Sequence, residues 1–188
     1  VLFFLLMRRR PPGTTQSRSS AASDVYKRQV ERRDVVFVVN GGGSSLESVQ
    51  RAAAGLDNVV FVPMQPRERL SEVLAAADIH TILLRHGLAR SSVPSKMYSI
   101  LAAGRPVVAS VDPDTEVTRV LDQAGAGVSV APGAVDELHQ AIVGLVDDPA
   151  RRATVGASGR SWVERWLSPA AVAEAYEELF ERLITQHN

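Results

Sequence analysis

The stretch from Ser92 to Ser110 reads SVPSKMYSILAAGRPVVAS and contains the side chain best placed to do chemistry, Lys96. Lys96 falls in the first turn of an expected short helix, where a cation faces the positive end of the helix dipole. That placement is unfavourable by roughly 0.3–1 kcal/mol. A lysine together with the unpaired N–H groups of a first turn makes an anion site suited to a phosphate. Beyond residue 29 the chain has fourteen Arg, and Lys96 is its sole Lys. The compact ammonium has been used where every other cation is a guanidinium. Taken alone, Lys96 reads equally well as a solvated lysine on an exposed helix.

Two further features could meet a ligand. Gly41-Gly42-Gly43 follows an apolar run, VVFVVN. A glycine-rich turn after a strand lets a phosphate approach the backbone, but the GxGxxG spacing is absent, so it reads as turn geometry first. His86 stands in a polar loop over positions 85–93 without an obvious acidic neighbour, and is read as an exposed loop histidine. Acid–base work would need a carboxylate poised beside it. The four His (80, 86, 139, 187) show no ligand spacing and there is no Cys. Neither a zinc site nor a required cofactor ion is implied.

The elements that must position these residues follow from periodicity. Met97, Ile100 and Leu101 form one apolar helical face, and Ser92, Ser95, Lys96 and Ser99 form a polar stripe opposite. Pro94 suits the first turn with a Ser before it as cap, Gly104 stops the helix, Pro106 prevents its restart, and Val107 opens a strand. Strands are expected at Val35–Asn40, Val59–Pro63, Ile79–Leu84, Val107–Ser110 and Gly127–Val130. Helices are expected near Leu46–Ala54 and over Arg67–Ala77, Thr115–Ala124, Ala134–Val146, Pro149–Val163 and Pro169–Thr185. Strands alternating with helices predict an α/β fold with a doubly wound parallel sheet of about five strands. Ligands of such sheets bind at the carboxyl ends of the strands. The glycine turn and the loops 63–67, 85–95 and 110–116 should gather there.

Composition bounds the class. The 188 residues are 45% hydrophobic and 22% charged with a formal net charge of zero, as in an ordinary globular domain. That zero hides a split. Residues 1–29 hold six Lys or Arg and one Asp, which leaves fifteen basic and twenty acidic residues for the body. An acidic body poor in aromatics argues against a nucleic-acid partner. Residues 1–29 are expected to stand outside the domain as a disordered or artefactual segment, with the domain itself spanning 30–188. The apolar run Val1–Met7 is too short to cross a bilayer, and its positive charge follows the run where a signal peptide would carry it in front. Asp24–Gln29 (DVYKRQ) resembles translated adapter sequence from library preparation. A basic arm that touches membranes is the functional alternative.

The order of pieces resembles the C-terminal, donor-binding half of retaining GT-B glycosyltransferases, of the group 1 or family 4 type. The matching pieces are VVFVVNGGG, LDNVVFVPMQPRERLSEVLAAADIHTILLR, VPSKMYSILAAGRPVVAS and DTEVTRVLDQAGAGVSVAPG, so the resemblance runs from about Asp34 to the C-terminus. PSK with AAGRP is similar to a subgroup active on exopolysaccharides or cell-surface glycans. The resemblance implies a Rossmann-like fold and a nucleotide-diphosphate sugar as substrate. It assigns the donor diphosphate to Pro94, Ser95, Lys96 and Met97, the base to Met64 and Gln65, and the ribose to Ser99. Many members carry two Glu seven residues apart across this element; Ser91 and Ser99 stand at those positions here. Glu116 could supply a carboxylate to the same edge, or cap the helix that follows.

The resemblance also implies that an acceptor-binding N-terminal half, and the donor half's own first strand, are missing. The last helix would pack on that half, so the broad apolar face of 169–185 is expected to be partly exposed in this chain. The implied activity is transfer of a sugar from a nucleotide-diphosphate sugar to a glycan or lipid-linked acceptor, with this chain alone inactive. The alternatives are a non-catalytic nucleotide- or phosphosugar-binding module and a nucleotide-sugar epimerase of the same architecture. The expected location is the cytoplasm, at the inner membrane face in the full-length enzyme.

Overall fold

The computed structural model describes residues 3–8, 32, 34–42, 46–88 and 93–186. The strands are β1 (Phe3–Arg8), β2 (Val35–Asn40), β3 (Val59–Val62), β4 (Ile79–Leu83), β5 (Val107–Ser110) and β6 (Gly127–Val130). They form one sheet in the order β3-β2-β1-β4-β5-β6. The helices are α1 (Leu46–Ala52), a 3-10 turn (Arg67–Arg69) running into α2 (Leu70–Ala76), α3 (Lys96–Ala102), α4 (Glu116–Ala124), α5 (Val135–Asp147), α6 (Pro149–Trp166) and α7 (Pro169–Gln186).

The expected parallel frame is present. β2 pairs with β3, and β4 with β5 and β5 with β6, all parallel. One expectation is corrected. β1 lies between β2 and β4 and runs antiparallel to both, so the sheet has six strands and is mixed. Phe3–Arg8 therefore belongs to the domain, contrary to the expectation for residues 1–29; residues 9–29 lie outside the described residues. The physical reason is hydrogen-bond accounting. β2 and β4 are central strands, and their facing edges would otherwise carry unpaired N–H and C=O groups inside the molecule. The apolar run Val1–Met7 is too short for a membrane, but the six residues Phe3–Arg8 are an ordinary strand length.

Side chains of β2 and β5 alternate between two cores. Val36, Val38, Val107 and Ala109 pack with Met97, Ile100, Leu101, Val117, Val120 and Leu121 on one face. Val35, Phe37, Ile79 and Val108 pack with Leu138, Ile142, Leu145 and Val146 of α5 on the other. This division is what doubly wound α/β packing requires.

α3 is held from outside by α6. Gly156 lets the α6 backbone lie on the turn after α3: a Cβ there would sit 2.2 Å from the Gly104 carbonyl oxygen. One turn on, a Cβ at Gly159 would meet Ala126 at 2.9 Å and Leu101 at 3.1 Å. Two glycines inside a helix each cost about 1 kcal/mol relative to Ala, and close approach is what they give in return. Gly104 itself has φ +68° and ends α3 as expected. Asp148 caps α6, accepting from the Arg151 N–H at 2.8 Å, and Ser168 caps α7, accepting from the Ala171 N–H at 3.2 Å.

Candidate functional site

All five parallel strands end on the same edge of the sheet, and the loops leaving them build a rim. At one end of it the Gly41 N–H donates to the Val62 carbonyl at 3.2 Å, and Asn40 Nδ2 donates to the Pro63 carbonyl at 3.2 Å. Gln65 Nε2 donates to the same Pro63 oxygen at 3.0 Å. Gly41 adopts φ +129° against the tip of Met64, where a Cβ would lie 3.7 Å from Cε. Met64 is 65% exposed, a large apolar side chain held in solvent beside half-buried Gln65. Gly43 of the expected glycine turn lies outside the described residues.

α3 begins at the rim and runs back along the sheet. Met97, Ile100 and Leu101 are fully buried, whereas Ser95 is exposed and Lys96 and Ser99 are half-buried. The apolar face, and Ser95, Lys96 and Ser99 of the polar stripe, are thus where periodicity put them, while Ser91 and Ser92 lie outside the described residues. The start differs in detail. The helix proper opens at Lys96, with Ser95 in the helical region and no side-chain cap. Pro94 precedes it and is buried, and its carbonyl accepts from the Met97 N–H at 2.9 Å. Met97 thus contributes a core side chain and an amide already engaged, so it anchors the turn while Ser95 and Lys96 stand at its surface.

Glu116 is joined to both its own helix and α3. Thr115 is the N-cap of α4 in a capping box with Thr118, so capping falls to Thr115 and Glu116 occupies the first helical position. Its carboxylate accepts from Arg119 at 2.6 and 2.8 Å and from the Tyr98 hydroxyl at 3.2 Å. Hydrogen bonding to the Arg119 guanidinium holds Glu116 below its ordinary pKa, and burial, seconded by Glu116, raises that of the Tyr98 phenol. Tyr98 ties the first turn of α4 to α3, a role that sequence reasoning missed.

The other carboxylate of this edge, also missed, is Asp112. It leaves β5 only 2% exposed, and its Oδ2 accepts from the Gly87 N–H at 2.7 Å. Oδ1 lies 2.6 Å from His86 Nδ1. His86 does have an acidic neighbour, then, although its side chain is 90% exposed as expected of a loop histidine. The two are twenty-six positions apart and meet because β4 and β5 are adjacent and leave the sheet together, with the Leu84 N–H donating to the Ser110 carbonyl at 2.9 Å. His80, by contrast, sits inside β4, fully buried, with Nε2 2.9 Å from the Leu74 carbonyl. Burial lowers its pKa to about 4, so it belongs to the core and not to the rim.

A doubly wound sheet with its loops gathered on one edge defines a Rossmann-like α/β class of domain. The chain belongs to the family described as glycosyl transferases group 1, which matches residues 19–148. It is 34% identical over 132 residues to the GDP-mannose-dependent alpha-(1-6)-phosphatidylinositol monomannoside mannosyltransferase of Mycolicibacterium smegmatis, covering 66% of this chain and 34% of that protein. It is 33% identical over 113 residues to the GDP-mannose-dependent monoacylated alpha-(1-6)-phosphatidylinositol monomannoside mannosyltransferase of Corynebacterium glutamicum, covering 57% and 28%. Among solved structures, Anabaena HepE in complex with UDP-glucose shares the fold at a TM-score of 0.67 and 15% identity, over 84% of this chain and 44% of that one. The chain thus spans about a third of the length of these curated relatives. Among the described residues, no helix is long and apolar enough to cross a membrane.

Proposed function

We propose that the chain is the donor-binding part of a retaining glycosyltransferase that moves a hexose from a nucleotide-diphosphate sugar to a glycan or lipid-linked acceptor. The observation that carries this reading is Lys96 at the first residue of α3, on the rim that also presents Met64 and Gln65, in a chain of this family. Pro94, Ser95 and Lys96 receive the diphosphate, with Met97 anchoring the turn beneath them. Met64 and Gln65 flank the base, Ser99 faces the ribose, and Glu116 closes the far side through Tyr98. As the bond to the sugar breaks, negative charge grows on the leaving diphosphate, and a fixed ammonium and helix start stabilise it without reorganisation.

The relatives' names include a lipid-linked acceptor, in keeping with the cell-surface glycan subgroup that PSK and AAGRP suggest. The acceptor half would cover the exposed stripe of α7, where Val172, Tyr176, Leu179, Phe180 and Leu183 are 38–57% exposed. The 188-residue chain should therefore bind donor without transferring sugar. Nucleotide-sugars place the reaction in the cytoplasm, beside the membrane face where lipid-linked acceptors are exposed.

Calorimetric titration of the 188-residue chain with UDP and with GDP tests this reading. One of the two should bind, and Lys96→Ala should weaken it by roughly 1–3 kcal/mol, the scale of charge-assisted hydrogen bonding. Unchanged affinity would remove Lys96 from the site, and binding of neither nucleotide would refute the reading.

A further inference from the structure

We infer that the turn from Asp112 to Glu116 holds Lys96 in place for the donor's diphosphate, with Asp112 as a positioning residue that acts through the chain it grips. The inference deepens the donor-binding reading above and rests on it. The turn makes a contact on either side of Lys96 in sequence. Before it, Asp112 Oδ2 accepts from the Gly87 N–H at 2.7 Å, in the connection from β4 to α3. After it, Glu116 Oε1 accepts from the Tyr98 hydroxyl at 3.2 Å, in the first turn of α3 itself. Thr115 ties the two ends of the turn together. Its hydroxyl donates to the Asp112 carbonyl at 3.0 Å, and its N–H donates to Thr118 Oγ1 at 3.0 Å. Asp114, between them, has φ +57°, in the left-handed region that no other non-glycine residue adopts among the described residues.

The Asp112 carboxylate is not needed to close the turn. Thr115 and Thr118 close it and open α4 with their hydroxyl groups, and from Asp112 they use only the backbone carbonyl. The side chain itself is almost wholly buried, and a carboxylate in that position is costly unless its oxygens are matched. Oδ2 is matched by the Gly87 N–H, whereas Oδ1 makes no hydrogen bond among the described residues, in spite of its 2.6 Å contact with His86 Nδ1. A left-handed Asp114 adds backbone strain, which collects where a fixed geometry has a use. Here that geometry is the start of α3. The turn is rooted in the sheet, with the Leu84 N–H donating to the Ser110 carbonyl at 2.9 Å and the Val111 N–H to the Val130 carbonyl at 3.0 Å. From that root it fixes the chain just after β4 and again at Tyr98. A lysine stabilises a growing diphosphate charge without reorganisation only when the backbone that carries it is already in place.

The test is a double-mutant cycle read in nucleotide affinity. The 188-residue chain, Asp112→Ala, Asp112→Asn, Lys96→Ala and the Asp112→Ala/Lys96→Ala pair are titrated with UDP and with GDP. For whichever nucleotide binds, Asp112→Ala should weaken it about five- to ten-fold, the loss expected for one hydrogen bond. Asp112→Asn keeps an oxygen that can accept from Gly87 and should recover part of that loss. With Lys96 already replaced, Asp112→Ala should change affinity by less than about twofold, because the group whose place it sets is gone. A merely structural role would give the same loss in both backgrounds. A second measurement needs no nucleotide and serves even where Asp112→Ala does not fold. In a Lys27→Arg chain Lys96 is the sole lysine, so its 13C-methylated amine gives one resonance, which should move on Asp112→Asn. Equal losses in both backgrounds, no loss at all, or a Lys96 resonance indifferent to Asp112→Asn would overturn the inference and leave the donor-binding reading standing. Failure of the unmodified chain to bind either nucleotide would overturn both.

Discussion

Replacing Gly156 by Ala sets the close approach of α6 to the turn after α3 against the intrinsic preference of a helix for alanine. The new Cβ would lie 2.2 Å from the Gly104 carbonyl oxygen and 3.0 Å from its carbon, both backbone atoms that cannot rotate aside. Reaching an ordinary separation means moving the helix and the α3–β5 turn apart by about 1 Å, an overpacking change of the kind that costs about 1–3 kcal/mol. Alanine returns about 1 kcal/mol of helix propensity, so the net loss should be about 1–2 kcal/mol. Gly144, in α5, provides the matched control. A Cβ there meets only the Arg151 guanidinium at 3.7 Å, so Gly144→Ala should stabilise by about 0.5–1 kcal/mol. Urea denaturation of the 188-residue chain followed by circular dichroism reads both, as midpoints moving in opposite directions. Because α3 carries Lys96, Gly156→Ala should also weaken nucleotide binding, while Gly144→Ala should not. A midpoint that rises for both variants would refute the close approach of α6 to α3, and with it the account of how Lys96 is held at the rim.

Three further outcomes are expected. His80 has a folded pKa of about 4 against an ordinary 6.5, so between those values the unfolded chain takes up a proton that the folded chain refuses. Stability should therefore be flat above pH 6.5 and fall by up to about 3 kcal/mol by pH 4, and His80→Leu should remove that part of the pH dependence in denaturant midpoints. Tyr98→Phe deletes the hydroxyl that donates to Glu116 and should cost about 0.5–1.5 kcal/mol, a loss that a double-mutant cycle with Glu116→Gln should show to be shared rather than additive. Phe180→Asp with Ile184→Asp acts on side chains that are 57% and 64% exposed. The denaturation midpoint should stay almost unchanged, whereas a large loss of stability would show that α7 is packed in this chain and not open to a partner.

Much of the architecture was legible in the chain because it is written in local patterns. The 3.6-residue spacing of Met97, Ile100 and Leu101 and the β-branched runs at 35–40 and 107–110 report burial directly, and each became the element expected. The capping serine before Pro169 and the stop at Gly104 likewise depend on backbone chemistry within a few residues. Phe3–Arg8 was misjudged because nothing local marks a short apolar run as a strand; its place depends on two open edges supplied by β2 and β4.

The site divides along the same line. Lys96 was visible because its conflict with the helix dipole lies within one turn, and a solitary lysine among arginines needs no coordinates to be noticed. What the chain's order alone decided was that a parallel α/β sheet would carry its loops to one edge and put this ammonium at the head of α3. Only the folded molecule showed that a second, buried carboxylate lies at that edge. Parallel pairing of β4 with β5 carries Asp112 to Gly87 and His86, and a buried acid held at hydrogen-bonding distance across adjacent strands leaves no periodic trace in sequence.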